Sequence, residues 1–213
     1  MKRPVIFWDV DTQHDFMDAD GAMYVPDAER IKPQLQHLTQ YAHAHKIPIV
    51  ASSDDHTLEH AEISSAPDFR ETFPPHCMRG TIGAEKIAQT ELRHPLVLEP
   101  EAVPHETLVR RLQPHEGDIL IRKHRFDVFS NPNTSTLLEA WDPTEVVLYG
   151  VALDFCVRYA LDGLIDIGIP TIYLVLDATK PIVEADVAKL VAGWKAQDVR
   201  IVSTDDVVCG RIV

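Results

Sequence analysis

The sequence predicts a three-layer α/β/α fold, in which helices cover both faces of a mainly parallel β-sheet. Short apolar runs recur along the 213 residues, and segments with the apolar spacing of helices separate them. Parallel strands need such crossover segments, and their burial on both faces makes their sequences continuously apolar. With 45% hydrophobic and 25% charged residues the chain can bury one core, so we expect residues 1–213 to form a single domain.

Six apolar runs are predicted to be strands. In chain order they are residues 5–10, 47–51, 119–121, 146–149, 172–176 and a weaker run at 199–202. The helical spacing is clearest before the second and the last of these runs. It is carried by Ile31, Leu35, Leu38 and Ala42 in the first case and by Ala185, Ala188, Val191 and Ala192 in the second.

The charge of the chain argues against two classes of partner, nucleic acids and anionic membranes. A formal net charge of −13 repels phosphate backbones and anionic membrane surfaces. The basic cluster Arg122, Lys123, His124 and Arg125 is too small to oppose this field, and a solvated turn explains most of these residues. We therefore expect neither nucleic acid nor a membrane to be a partner.

The cysteines and the apolar runs indicate a cytoplasmic protein. Cys77, Cys156 and Cys209 are odd in number and irregularly spaced, which does not suit a disulfide framework. No apolar stretch approaches the roughly 20 residues that a membrane span needs. The apolar run at residues 5–8 is also too short for the core of a signal peptide.

Polar residues follow the predicted strands closely. In open α/β sheets the chemistry gathers outside the carboxyl ends of the strands, so these residues are the first candidates for a site. They are Asp9, Asp11, Asp54, His56, Lys123, Cys156 and Asp177.

Cys156 is a candidate nucleophile because it opens a helical pattern directly after a strand and a turn. The dipole and the free N–H groups of a helix N-terminus favour a thiolate there. Each candidate also has an ordinary structural explanation. A free cysteine is often an inert core residue, an aspartate such as Asp11 often caps a turn, and a lysine such as Lys123 is usually solvated.

Two turns carry a possible metal site. Asp54 and His56 follow the second strand, and His76 lies in a proline-rich turn. A set of two histidines and one carboxylate leaves coordination positions open and suits zinc, iron or manganese. Polar surface residues in a chain with 11 histidines are the alternative.

Separate motifs along the chain resemble those of one hydrolase family. They are Asp-x-Gln-x-Asp-Phe at 11–16, Asp-x-His at 54–56, Pro-x-His-Cys-x-x-Gly-Thr-x-Gly at 74–83, the lysine Lys123 after a strand, and Gly-Val-Ala-x-x-x-Cys at 150–156. Over roughly residues 4–180 the chain therefore resembles the nicotinamidase and isochorismatase-like cysteine hydrolases.

The resemblance implies a six-stranded parallel sheet and a catalytic triad of Asp11, Lys123 and Cys156. In this interpretation the thiolate attacks an amide carbonyl and forms a thioester, while Asp11 accepts the thiol proton and later activates water. The N–H groups of Ala152 and Cys156 are expected to form the oxyanion hole. The resemblance also implies a cis peptide bond between Val151 and Ala152.

The metal motif favours the nicotinamidase branch, in which an ion held by Asp54, His56 and His76 binds the pyridine nitrogen. Zinc is the expected metal, with manganese or iron as alternatives, and Asp68 is a candidate fourth ligand. The chain departs from the branch at Asp55, where tryptophan is common, and at residues 124–131, which lack the usual Tyr-Ser pattern.

The predicted substrate is therefore a small carboxamide, with nicotinamide first. The alternatives are a related amidase for another amide, carbamoyl or ureido compound, and a non-catalytic metal-binding relative. A homo-oligomer is possible, since relatives often assemble.

Overall fold

A parallel β-sheet forms the centre of the computed structural model, which describes residues 2–212. Within these residues the sheet has seven strands in the order β3-β4-β2-β1-β5-β6-β7, and every pairing is parallel. The strands are β1 Val5–Val10, β2 Ile49–Asp54, β3 Leu96–Leu98, β4 Ile119–Lys123, β5 Glu145–Val151, β6 Thr171–Lys180 and β7 Arg200–Val202.

The strand count differs from the six that the sequence predicted. The additional strand is β3, which has only three residues and pairs with β4 at one edge of the sheet. A run this short shows no periodicity that separates it from a loop. Strand β2 also extends beyond the predicted residue 51, because Ser52, Ser53 and Asp54 continue the ladder with β4 and are buried.

Helices cover both faces of the sheet. They are α1 His14–Met17, α2 Lys32–Ala44, α3 His105–Leu112, α4 Asn133–Trp141, α5 Cys156–Asp166, α6 Val187–Lys195 and α7 Thr204–Val208. Short 3-10 helices span Ala28–Ile31, Ile82–Ala84, Ala88–Thr90, Val128–Ser130 and Glu184–Asp186. Both helices predicted from apolar spacing are confirmed. Helix α2 contains Leu35, Leu38 and Ala42, and helix α6 contains Ala188, Val191 and Ala192.

The alternation of side chains along β1 shows the three layers. Ile6 and Trp8 belong to the core shared with α3, α4, α5 and α6, whereas Phe7 belongs to the core shared with α1, α2 and α7. Leu35 and Leu38 of α2 are fully buried in the second core. Burial of each such leucine contributes about 1.5–3 kcal/mol to folding.

The four central strands place their carboxyl ends side by side, in the order β4, β2, β1 and β5. Asp11, Asp54, His56, Lys123 and Cys156, which were predicted to carry chemistry, stand at or just after these ends. Asp9 instead lies within β1, and Asp177 lies within β6, where its Oδ1 accepts hydrogen bonds from the Thr204 N–H and hydroxyl groups. None of the helices within residues 2–212 combines the length and the apolar character that a membrane crossing requires.

Candidate active site

Adjacent strand ends bring four of the predicted residues together. Lys123 is the last residue of β4, Asp54 is the last residue of β2, Asp11 directly follows β1, and Cys156 opens α5 after β5. All four are buried. The strand-end rule therefore located this group correctly from the sequence.

Lys123 lies at the centre of the group. Its side chain is fully buried, and its Nζ lies 2.8 Å from Asp11 Oδ2, 2.5 Å from Asp54 Oδ1 and 3.8 Å from Cys156 Sγ. Burial by itself lowers the pKa of Lys123, but attraction to Asp11 and Asp54 outweighs it and holds that pKa well above its usual range. The side chain is therefore an ammonium ion that faces two carboxylates and a sulfur.

Cys156 and Asp11 are a candidate proton donor and acceptor. Burial raises the pKa of the Cys156 thiol well above its usual range; Lys123 opposes this rise, and the Asp11 and Asp54 carboxylates add to it. Burial likewise raises the pKa of Asp11, whose Oδ1 accepts a hydrogen bond of 2.7 Å from Ser52. The Lys123 ammonium thus lowers the thiol pKa, but burial outweighs it, so removal of the thiol proton needs a base.

The turn before α5 leaves two amide groups available. The Ala152 and Cys156 N–H groups have no acceptor among the described residues. The Val151–Ala152 peptide bond is cis, as the resemblance implied. Gly150 precedes it with a φ of 118°, and a Cβ there would lie 2.2 Å from the Val10 carbonyl oxygen of β1. Glycine is thus required where this turn approaches the neighbouring strand.

A cluster of four possible metal ligands adjoins the thiol group. Asp54, His56, Glu62 and His76 are buried, and their ligand atoms all lie within 4.8 Å of one another. Nε2 of His56 lies 3.8 Å from Asp54 Oδ2 and from Glu62 Oε1, and Nε2 of His76 lies 3.6 and 3.9 Å from the same two oxygens. Ligand atoms around a tetrahedral zinc ion are separated by about 3.4 Å, since its bonds are about 2.1 Å long.

The hydrogen bonding of the cluster fits a metal ion. Both ring nitrogens of His56 are buried without a hydrogen-bond partner. His76 Nδ1 bonds the Pro74 carbonyl at 2.8 Å, which leaves its Nε2 to face the cluster.

The charges of the cluster fit a metal ion as well. Asp11, Asp54 and Glu62 are three buried carboxylates that share one buried ammonium, Lys123, and burial with the Asp54 charge raises the pKa of Glu62. A divalent cation compensates this surplus of negative charge.

Glu62 has no counterpart among the residues predicted from the sequence. Its Oε2 accepts the N–H of Phe126 at 2.8 Å, and its carbonyl accepts the N–H of Phe73, which together bury it beside the histidines. Asp68, the predicted candidate, is exposed and accepts the N–H groups of residues 70–72 with its own Oδ1. These bonds hold the pKa of Asp68 well below its usual range, and they occupy the carboxylate in a local turn.

One apolar cavity connects the thiol to the ligand cluster. Cys156 and Ala152 lie at one part of its wall, and Asp54, Glu62 and His76 lie at another. Most of the remaining wall is apolar, and no lysine or arginine of the described residues contributes to it. The apolar residues are Phe16, Met23, Val25, Phe73, Phe126, Phe155 and Ile182.

Sequence comparisons place the chain near characterised amidases. The nicotinamidase of Saccharomyces cerevisiae is 24% identical over 194 residues, which cover 81% of this chain and 86% of the yeast protein. The nicotinamidase/pyrazinamidase of Mycobacterium tuberculosis is 27% identical over 168 residues, which cover 78% of this chain and 81% of that protein.

Solved structures share the fold. The pyrazinamidase of Pyrococcus horikoshii in complex with zinc superimposes with a TM-score of 0.72 at 24% identity, covering 94% of this chain and 99% of that one. The N-carbamoylsarcosine amidase of Thermoplasma acidophilum gives 0.70 at 20% identity, covering 96% and 98%. The model of the isochorismatase domain matches residues 6–206, which is nearly the whole chain. The chain therefore belongs to the isochorismatase family.

Proposed function

We propose that this protein is a metal-containing cysteine amidase that hydrolyses nicotinamide, or a closely similar heteroaromatic carboxamide, to the carboxylate and ammonia. The enzyme is a hydrolase that acts on a non-peptide carbon–nitrogen bond. One observation carries the proposal. The buried thiol of Cys156 and three residues of the buried ligand cluster, Asp54, Glu62 and His76, line the same apolar cavity.

The reaction begins when Asp11 accepts the thiol proton as the Cys156 sulfur attacks the carboxamide carbon. The carbonyl π electrons move to the oxygen, and the N–H groups of Ala152 and Cys156 stabilise its negative charge. Collapse of this intermediate breaks the carbon–nitrogen bond, and Asp11 returns the proton to the leaving nitrogen, so that ammonia departs. The product of this half of the reaction is a thioester on Cys156.

The second half uses the same residues in reverse. Asp11 removes a proton from a water molecule, the resulting hydroxide attacks the thioester carbon, and the carbon–sulfur bond breaks. Asp11 returns its proton to the sulfur, and the acid product loses its own proton to solvent and leaves as the carboxylate. Throughout, the Lys123 ammonium holds the Asp11 carboxylate in place and offsets negative charge near the sulfur.

Asp54, His56, Glu62 and His76 are the residues that would hold the metal. A divalent ion held there would supply Lewis-acid chemistry and would take the ring nitrogen of the substrate as a further ligand beyond these four residues. Imidazole and carboxylate ligands suit zinc, and manganese or iron remain alternative ions.

The lining of the cavity favours an uncharged aromatic amide over carbamoyl or ureido acids. Phe16, Phe73, Phe126 and Phe155 offer apolar surfaces to a flat ring. A substrate with its own carboxylate needs a compensating cation in the wall, because burial of an unpaired charge is costly. No lysine or arginine of the described wall supplies one, and the charge of the proposed metal ion is already offset by the carboxylates of Asp54 and Glu62.

The test measures ammonia released by the zinc-loaded protein from nicotinamide, pyrazinamide, benzamide and N-carbamoylglycine, with Cys156→Ala as the blank. We expect nicotinamide and pyrazinamide to react well and benzamide, which lacks a ring nitrogen, to react poorly. Equal rates for benzamide and nicotinamide would show that no metal ion binds the ring nitrogen. If only the carbamoyl compound reacted, the nicotinamidase assignment would be wrong and the alternative amidase correct.

A further inference from the structure

Asp55 stands between two residues of the proposed metal cluster, Asp54 and His56, yet its side chain does not line the substrate cavity. The Asp55 side chain is only 9% exposed and forms an ion pair with Arg79. Nε and Nη2 of Arg79 donate to the same oxygen, Asp55 Oδ2, at 2.9 and 2.6 Å. Two donors on one buried carboxylate oxygen hold residues 54–56 and residues 76–79 in a fixed relative position.

Those two segments each carry a histidine of the cluster. The Arg79 N–H donates to the His56 carbonyl at 2.8 Å, and the His56 N–H donates to the Cys77 carbonyl at 3.0 Å. Residues 54–56 and 76–79 thus run side by side through a single parallel bridge, His56 with Met78. Two backbone hydrogen bonds are a weak junction, and the ion pair adds a third and fourth bond across it.

Asp55 also reaches the thiol side of the site. Its N–H donates to the Lys123 carbonyl at 3.1 Å, at the end of β4. A displacement of Asp55 therefore moves Asp54 and His56 relative to strand β4 as well as relative to His76.

We propose that Asp55 and Arg79 are positioning residues that set the distance between the His56 and His76 ligands and thereby raise the affinity of the cluster for a divalent cation. The inference rests on the metal site of the proposed function but does not depend on the identity of the substrate. The role is indirect, because neither residue belongs to the cluster itself.

Removal of the Arg79 side chain distinguishes a positioning role from a purely electrostatic effect on cation affinity. Arg79 is a cation close to the metal ligands, so its loss makes the site more negative, and electrostatics alone predicts tighter cation binding. A positioning role predicts weaker cation binding, because the contact between residues 54–56 and residues 76–79 loosens. Loss of a residue that orients a ligand from outside the cluster lowers metal affinity by roughly 10-fold to 100-fold.

The experiment compares zinc affinities of the full-length unchanged protein, Arg79→Ala, Arg79→Lys and Arg122→Ala by competition with a chromophoric chelator. Arg122 is the matched control, because it is an arginine paired with one carboxylate, Glu99, at 2.9 Å on the partly exposed surface. Melting temperatures of the metal-free proteins show which variants fold. If Arg79→Ala does not fold, Arg79→Gln, which removes the same charge and retains more of the side-chain volume, replaces it.

We expect the zinc Kd to rise at least tenfold in Arg79→Ala, by a smaller factor in Arg79→Lys, and by less than twofold in Arg122→Ala. An unchanged or lower Kd in a folded Arg79→Ala protein would overturn the positioning role while leaving the metal site intact. Failure of the unchanged protein to bind zinc, manganese or iron would overturn the metal site and the positioning role together, whatever amide it hydrolyses.

Discussion

The thiol side and the metal side of the site are built in different ways. Asp11, Lys123 and Cys156 stand at or directly after the ends of β1, β4 and β5, where strand register fixes them. His56, Glu62 and His76 instead lie between β2 and β3, in a segment whose regular structure amounts to two short 3-10 helices. The thiol side inherits its geometry from the sheet, whereas the metal side depends on individual hydrogen bonds and on the ion itself.

The largest effect is expected on the thiol side, for Cys156→Ala. Loss of the nucleophile should lower kcat by at least about 10⁴-fold, because thioester formation has no substitute sulfur within reach. The sheet should keep the fold, so the melting temperature should change little. Ammonia release and circular dichroism measure the two effects.

Cys77→Ala and Cys209→Ala are the matched controls, since one cysteine is buried and the other exposed. Both should retain turnover. Equal loss of activity in Cys77→Ala, or clear residual activity in Cys156→Ala, would contradict the assignment of the nucleophile.

On the metal side, Glu62→Gln should lower zinc affinity by about 100-fold or more, because it removes a ligand and one negative charge from the cluster. Asp68→Asn should leave zinc affinity unchanged, since Asp68 is bonded within its own turn. Chelator competition measures both. Equal losses in the two variants would refute the choice of Glu62 over Asp68.

Chelation of the metal should change KM and kcat to different extents. Removal of the metal should raise KM for nicotinamide several-fold more than it lowers kcat, because the ion orients the ring while Cys156 still supplies the nucleophile. For benzamide, KM should stay nearly constant. A fall in kcat with unchanged KM would assign the ion to the chemical step instead.

The smallest effect concerns alkylation of the thiols as pH rises. Burial raises the pKa of Cys156, so its thiolate fraction is small at neutral pH and keeps increasing above the usual thiol range. Cys209 is exposed and should be alkylated first. Mass spectrometry of iodoacetamide adducts should show the Cys156 rate still rising at a pH where the alkylation rate of free N-acetylcysteine is constant. Parallel pH profiles would contradict a raised pKa.

The same contrast explains what could be predicted from the sequence. Asp11, Asp54, Lys123 and Cys156 were predictable, because apolar runs locate strands and their polar ends share one edge of the sheet. Tertiary contact with Phe126, which lies 64 residues away, buries Glu62. Nothing local distinguishes Glu62 from Glu59, Asp68 and Glu71, three other acidic residues of the segment between β2 and β3.

Strand β3 was missed for a related reason. Its three residues become a strand by pairing with β4, and neither their number nor their pattern indicates this beforehand. The fold was therefore predictable in its layers and in the direction of its strands. Its edge was not, because edge strands are defined by their neighbour more than by their own sequence.

Lys123 joins the two sides of the site, and this sharing has a thermodynamic consequence. Its ammonium contacts Asp11, the proton acceptor, and Asp54, a proposed metal ligand. When Asp54 is neutralised, Lys123 stabilises the Asp11 carboxylate more strongly. This changes how readily Asp11 takes up a proton. Because such coupling is reciprocal, protonation of Asp11 must change the cation affinity at Asp54 by the same factor. One buried ammonium thus links proton uptake and ion binding into a single equilibrium, so that neither titration curve is independent of the other.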